Sequence, residues 1–193
     1  MLALGGLLAG CSGVRSLSSE VQTFGEWPAG RAPGTYAFDR LPSSQTPSPK
    51  AADAEKLENV AALALKKAGF QAAPEGQLPD LLVQVGARTQ ASQRNPWDEP
   101  LWWHGGVGFW RVSPWHGASW NANLRFESAR YDRSVGLLLR DRATGKPLYE
   151  AQASSSGNSN TSPALLGAML EAALSDFPKA NPAVHTVTVV MPE

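Results

Sequence analysis

The residue types best suited to chemistry crowd into one stretch. Six of the seven tryptophans, Trp97, Trp102, Trp103, Trp110, Trp115 and Trp120, lie between residues 97 and 120, interleaved with His104, Gly105, Gly106, Gly108, Pro114, His116 and Gly117. An indole ring is costly to leave in water and offers a flat stacking face with one N–H handle. A loop this rich in indoles has two uses. It meets a sugar of the cell wall, a lipid headgroup or a partner protein, or it folds back and covers an open sheet face. The first use makes Trp97, Trp102, Trp103, His104, Trp110, Trp115 and His116 the candidate binding residues. His104 and His116, joined by Asp98, Glu99 or His185, are also the one set from which a metal site could be assembled. Zinc asks for three or four converging donors with support behind them. The spacing here matches no such pattern, so no metal is expected.

Catalytic machinery is not legible. Gly105-Gly106 after His104 has the look of an oxyanion loop, but no G-x-S-x-G elbow accompanies it. Ser, His and Asp occur without a spacing that assembles a triad, and no glycine-rich phosphate loop is present. The expectation is therefore a non-enzymatic protein with no catalytic residue and no cofactor; a periplasmic hydrolase is a remote alternative. Arg125, Arg130, Arg133, Arg140 and Arg142 alternate with Glu127, Asp132 and Asp141, which reads as a solvated, charge-balanced sheet face. Lys+Arg and Asp+Glu each number 17, and that balance offers no electrostatic footprint for nucleic acid.

The single cysteine, Cys11, ends the run MLALGGLLAGC. Leu8-Ala9-Gly10-Cys11 resembles the lipobox of bacterial lipoproteins, in which small residues admit the signal peptidase and the thiol takes the diacylglycerol. Residues 1–11 then read as the remnant of a signal peptide. Ten residues with no Lys or Arg are short for a whole one, so the true start is expected upstream. Covalent lipid on Cys11 is the one non-protein group expected. No run of about 18 apolar residues exists to span a bilayer, so the protein is expected to be anchored rather than inserted. Ser12 after the cysteine, by resemblance to lipoprotein sorting, directs it to the periplasmic face of the outer membrane. No thiol remains for a disulfide, and the domain must stand on its hydrophobic core.

What positions these residues is read from periodicity. Ser48-Pro49 is a cap followed by a first-turn proline, and Leu57, Val60, Ala61, Ala64, Leu65 and Ala68 form one apolar stripe at helical spacing. Gly69 supplies a left-handed stop, and Phe70 folds back onto Leu65. Ser162-Pro163 repeats the start signal ahead of Leu166, Met169, Leu170, Ala173, Leu174 and Phe177. Strands are expected at Gly34–Asp39, Asp80–Thr89, Ser119–Glu127, Ser134–Asp141, Pro147–Ala153 and Val184–Val190, with a weaker one in Gly13–Phe24. The pair Ser134–Asp141 and Pro147–Ala153 is a hairpin whose turn uses the Asp141 carboxylate and a positive φ at Gly145. Residues 154–162 read as a polar loop.

The order is that of an α+β two-layer sandwich: a mostly antiparallel sheet of about five to six strands, two helices on one face, and a long Trp/Gly-rich insertion at 90–118 within a single domain of 12–193. GTYAFDRLP, KAGF followed by PDLLVQV, LLLRDRATGKPLYEAQA, and a terminal helix ending in DFP, together with Cys11, resemble the domain-of-unknown-function family 4136 of bacterial lipoproteins. The resemblance implies an envelope lipoprotein and this fold, and it implies no assigned activity. The expected function is a binding or accessory module that contacts peptidoglycan or an envelope protein through the Trp-rich loop, the alternative being an assembly subunit that docks through its sheet edge.

Overall fold

The computed structural model describes residues 15–40, 46–92 and 130–191. Seven strands and two helices follow in the order β1 (Ser16–Gly25), β2 (Thr35–Phe38), α1 (Pro49–Lys67), β3 (Gln71–Ala72), β4 (Leu81–Ser92), β5 (Arg130–Asp141), β6 (Pro147–Gly157), α2 (Pro163–Ala173) and β7 (His185–Val190). They make one sheet in the order β3-β2-β4-β5-β6-β1-β7. β2 runs parallel to both β3 and β4, while every other pairing is antiparallel. The fold is α+β as expected, but the sheet is mixed and has seven strands. The predicted strand at 119–127 and the Trp/Gly-rich insertion fall outside the described residues.

Both helices start and stop by local chemistry. The Ser48 hydroxyl accepts from Ala51 N at 3.1 Å and the Ser162 hydroxyl from Leu165 N at 3.2 Å, each ahead of a first-turn proline. At the end of α1, Gly69 takes φ +94°, and its N–H reaches Lys66 O at 3.1 Å while Phe70 N–H reaches Leu65 O at 3.0 Å. These two bonds are the 5→2 and 6→1 pair of a Schellman stop, with Phe70 and Leu65 buried together beneath it.

The apolar residues sort by strand parity. Val83, Val135, Leu137, Leu139, Tyr149, Ala151, Ala153 and Val21 point to one face and form a single core with Ala61, Ala64 and Leu65 of α1 and Met169, Leu170 and Ala173 of α2. Trp27, Phe70, Tyr149 and Phe177 close one end of it. Phe177 stands 4.8 Å from Trp27, 4.9 Å from Phe70 and 5.3 Å from Tyr149, ring centre to ring centre, in edge-on or tilted geometries that suit aromatic quadrupoles. The start of β1, the end of β4, the start of β5 and the end of β6 all lie at one end of the sheet, because each meets its antiparallel neighbour there.

The β5–β6 turn is built as its sequence predicts. Asp141 Oδ1 accepts from Thr144 N at 2.9 Å and from Thr144 Oγ1 at 2.8 Å, and Gly145 turns the chain at φ +70°. Those bonds, with the Arg31 guanidinium at 3.0 Å, hold the Asp141 carboxyl down to about 2 from its ordinary 3.8. A depressed carboxylate stabilises the fold fully above its unfolded value and ceases to do so as pH falls through the folded one. The native chain is therefore expected to lose stability between pH 4 and 2 more steeply than Asp141→Asn, and equilibrium denaturation at the two pH values checks it.

Candidate functional site

The predicted site residues Cys11, Trp97, Trp102, Trp103, His104, Trp110, Trp115 and His116 all lie outside the described residues. What the structure places is the mount for the Trp-rich stretch. β4 and β5 pair without a break from Leu81↔Asp141 to Ser92↔Arg130, so the intervening segment leaves and re-enters the domain at two directly opposed residues. Residues 93–129 are therefore carried at the end of the β4–β5 arm, which β6 flanks as far as Tyr131↔Gly157.

His185, a suggested third metal ligand, starts β7, four strands across the sheet from β4. Its ring is committed to the α2–β7 connection. Nε2 lies 3.2 Å from Asp176 Oδ1, an off-axis ion-pair contact rather than a hydrogen bond, and Nδ1 lies 3.1 Å from Ala183 O. Among the described residues no three His, Cys, Asp or Glu side chains gather as metal ligands do. The Asp176–His185 pair has a hydroxyl neighbour in Thr23, and these are hydrolase residue types. Their order of contact is different. Thr23 Oγ1 donates to Asp176 Oδ2 at 3.2 Å and accepts from Asn181 N at 2.7 Å, so the hydroxyl is held by the acid and the backbone, not by the imidazole. With Thr23 fully buried, the group clasps the α2–β7 connection onto β1. Burial also pushes the neighbouring Tyr149 phenol up to about 12.

The arginine series divides. Arg140 lies on the helix-free face, where it joins Gln84 in binding Asp39; Gln84 Nε2 reaches Asp39 Oδ2 at 3.0 Å. Arg130 bonds Ser156 Oγ at 2.9 Å. Arg133 shares parity with Val135 and Leu137 and is only 3% exposed, which overturns its reading as a solvated charge. Its Nη1 donates to Ser159 O at 3.2 Å, its Nε has no partner, and no carboxylate pairs with it among the described residues. Nη2 lies 2.7 Å from where a Cβ on Gly157 would sit, so a side chain there would displace the guanidinium. A buried cation without a counter-charge pays desolvation for one carbonyl bond. Arg133→Met, similar in length, is expected to raise stability by about 1 kcal/mol, read as a shift in urea midpoint.

A concavity of about 910 Å³ opens where β2 stops. Successive residues fasten that stop to opposite sides of the sheet. Asp39 binds Gln84 and Arg140 on the helix-free face, while Arg40 Nε lies 3.0 and 2.9 Å from the two Glu58 oxygens of α1. Glu58 is almost fully buried, and Arg40 supplies its counter-charge. Sequence reasoning missed this concavity, since it depends on where one strand ends relative to its neighbour.

The profile of the family described as "Domain of unknown function (DUF4136)" matches residues 21–179, most of the chain. The chain belongs to this family. The match begins inside β1 and ends beyond α2, so the β4–β5 arm and its insertion fall within the DUF4136 span while β7 follows it. Among solved structures, a PDZ domain protein from Parabacteroides distasonis superposes with a TM-score of 0.50 at 12% identity, covering 91% of this chain and 39% of that one. Two PelC dodecamer structures from Paraburkholderia phytofirmans give TM-scores of 0.47 and 0.46 at 14% and 13% identity, over 83% and 84% of this chain and 98% and 99% of theirs. At such identities the likeness is one of fold alone, and this chain spans well under half of the PDZ protein. No curated protein matches the DUF4136 chain in sequence.

Proposed function

We propose that this DUF4136 domain is a non-enzymatic accessory module of the bacterial envelope. In this reading it is tethered through lipid on Cys11 to the periplasmic face of the outer membrane, and it contacts peptidoglycan or an envelope protein through its Trp-rich insertion. The observation that carries the reading is the unbroken β4–β5 register out to Ser92↔Arg130, which makes residues 93–129 an excursion from the end of an arm. A segment needed only to cover the core has no reason to be mounted at a tip. The arrangement of Asp176, His185 and Thr23 as a structural clasp also favours binding over hydrolysis.

The test is excision of residues 93–129, with Ser92 joined to Arg130 through an asparagine–glycine turn that suits a two-residue hairpin. Stability is expected to stay within about 1 kcal/mol of the parent, because the β4–β5 register is complete up to the excision point and closing a shorter loop costs less entropy. Tryptophan emission of the parent is expected to shift blue and become protected from iodide on adding peptidoglycan fragments, with co-sedimentation on insoluble peptidoglycan lost on excision. Blue, unquenchable emission from the parent alone, or collapse of the excised chain, defeats the reading.

A further inference from the structure

Independently of the insertion, the geometry points to a strand-docking slot along β4 that takes an extended, acidic peptide segment of a protein partner. β2 pairs with β4 only as far as Phe38↔Val83, whereas β4 runs on to Ser92. Which backbone groups this leaves open follows from two bonds. Asp39 N donates to Val83 O at 2.8 Å, so Val83 turns its polar groups toward β2; Arg142 N donates to Asp80 O at 3.1 Å, so the alternate residues turn toward β5. Alternation then directs the N–H and C=O of Val85, Ala87, Thr89 and Ala91 away from β5, into the strand position in line with β2. No described strand pairs with them there. Such an edge is a template for another strand, and native edges are usually blunted by prolines, bulges or charges. Between Gln84 and Ser92 this edge carries Arg88 as its sole charge.

The slot has walls that select its occupant. The 910 Å³ concavity is lined on the helix side by Leu57 and Val85, at the β2 end by Phe38, and on the open face by Gly86 opposite Gly136. A Cβ built on either glycine meets nothing within 4 Å, so that face has room for a large side chain from an added strand. An added strand would thus send one set of side chains toward Leu57 and the alternate set over the glycine pair, the division of labour seen in strand addition. Charge beside the edge narrows the choice. Glu58 is bound by Arg40 and Asp39 by Arg140, and the other two carboxylates lining the concavity, Glu150 and Glu20, lie two and three strands away on β6 and β1, while exposed Arg88 on β4 itself has no carboxylate partner among the described residues. An acidic residue on the incoming strand supplies that partner. A second copy of this chain, paired edge to edge, instead brings two unmatched Arg88 side chains into one strip. The outer edge of β7 is also unpaired among the described residues, and it serves as the internal control.

The test uses the chain carrying Cys11→Ser and a fluorescein-labelled synthetic peptide of about eight residues, the length of an ordinary strand, alternating valine and threonine around one glutamate. At saturating peptide, exchange of the Val85, Ala87 and Thr89 amides is expected to slow about tenfold or more, with Thr186 and Thr188 of β7 unchanged. Ala87→Pro removes one outward N–H at a position where an edge tolerates proline, and is expected to abolish the anisotropy change. If that variant does not fold, Arg88→Glu decides: it is expected to weaken the glutamate peptide about tenfold and to favour the same peptide with lysine at that place. Binding is expected to survive excision of residues 93–129, which separates this slot from the proposed role of the insertion. Unaltered binding to Arg88→Glu, or protection at β7, overturns the proposal. So does protection of the β4 amides without peptide, which assigns the edge to the chain itself if the mass stays monomeric and to a second copy if it doubles.

Discussion

Phe70→Ala is expected to lower the unfolding free energy by about 3–5 kcal/mol, the cost of replacing a fully buried phenylalanine, and so to remove a large share of the roughly 5–15 kcal/mol that holds a domain together. Three roles meet in this side chain. It is the residue after Gly69 that seals the Schellman stop of α1 over Leu65. It contributes an edge contact to Trp27 at 5.8 Å and a tilted one to Phe177 at 4.9 Å. It also fills core volume at 1% exposure. The loss is expected in the urea midpoint and in tryptophan emission together, since Trp27 loses a ring neighbour. A change of 1 kcal/mol or less in a cooperative transition refutes the claim that this corner holds the helix to the sheet.

Cys11→Ser is expected to move the protein completely from the membrane fraction to the soluble periplasmic fraction. Among the described residues no helix is long and apolar enough to cross a membrane, and the chain's net charge is zero, so the lipid is the anchor that this reading relies on. Two acyl chains hold firmly where one holds marginally, so partial release is not expected. Fractionation with metabolic palmitate labelling reads both halves of the claim, and a Cys11→Ser chain that stays with the membrane overturns the tether.

Elements whose signals are local were legible in the sequence. The caps at Ser48 and Ser162, the apolar stripes, the Gly69 stop and the Asp141 turn each involve residues within about one turn of chain, and each formed as its spacing dictates. β1 gave only a weak signal because its covered face includes Ser19 and Thr23, polar residues buried at 2% and 0% exposure, which break the apolar alternation. Thr23 is tolerable there only because Asp176 and Asn181, over 150 residues later, satisfy it. Residues 154–157 look like loop yet extend β6, since β5 on one side supplies the pairing that serines do not advertise. β3 is two exposed residues with no pattern to read. The parallel pairing of β2 with β4, and with it the slot, depends on strand order, which no local pattern encodes. Arg133 was different: its parity with Val135, Leu137 and Leu139 was on the page, and charge alone hid it. The Trp-rich residues lie outside what the structure describes, but the arm that carries them was half legible, as strands placed on either side of the stretch.

The sheet end that gathers the ends of β4 and β6 with the starts of β5 and β1 also limits reach. Only five residue steps separate Cys11 from Ser16, where β1 begins. A fully extended chain spans at most about 3.5 Å per residue, so a lipid on Cys11 would hold the start of β1 within roughly 17 Å of its attachment. Under such a tether the domain could not roam freely: the end of the sheet that holds Ser16, Ser92 and Arg130 would stay nearest the bilayer, and the opposite end, with the Asp141 turn, would face outward.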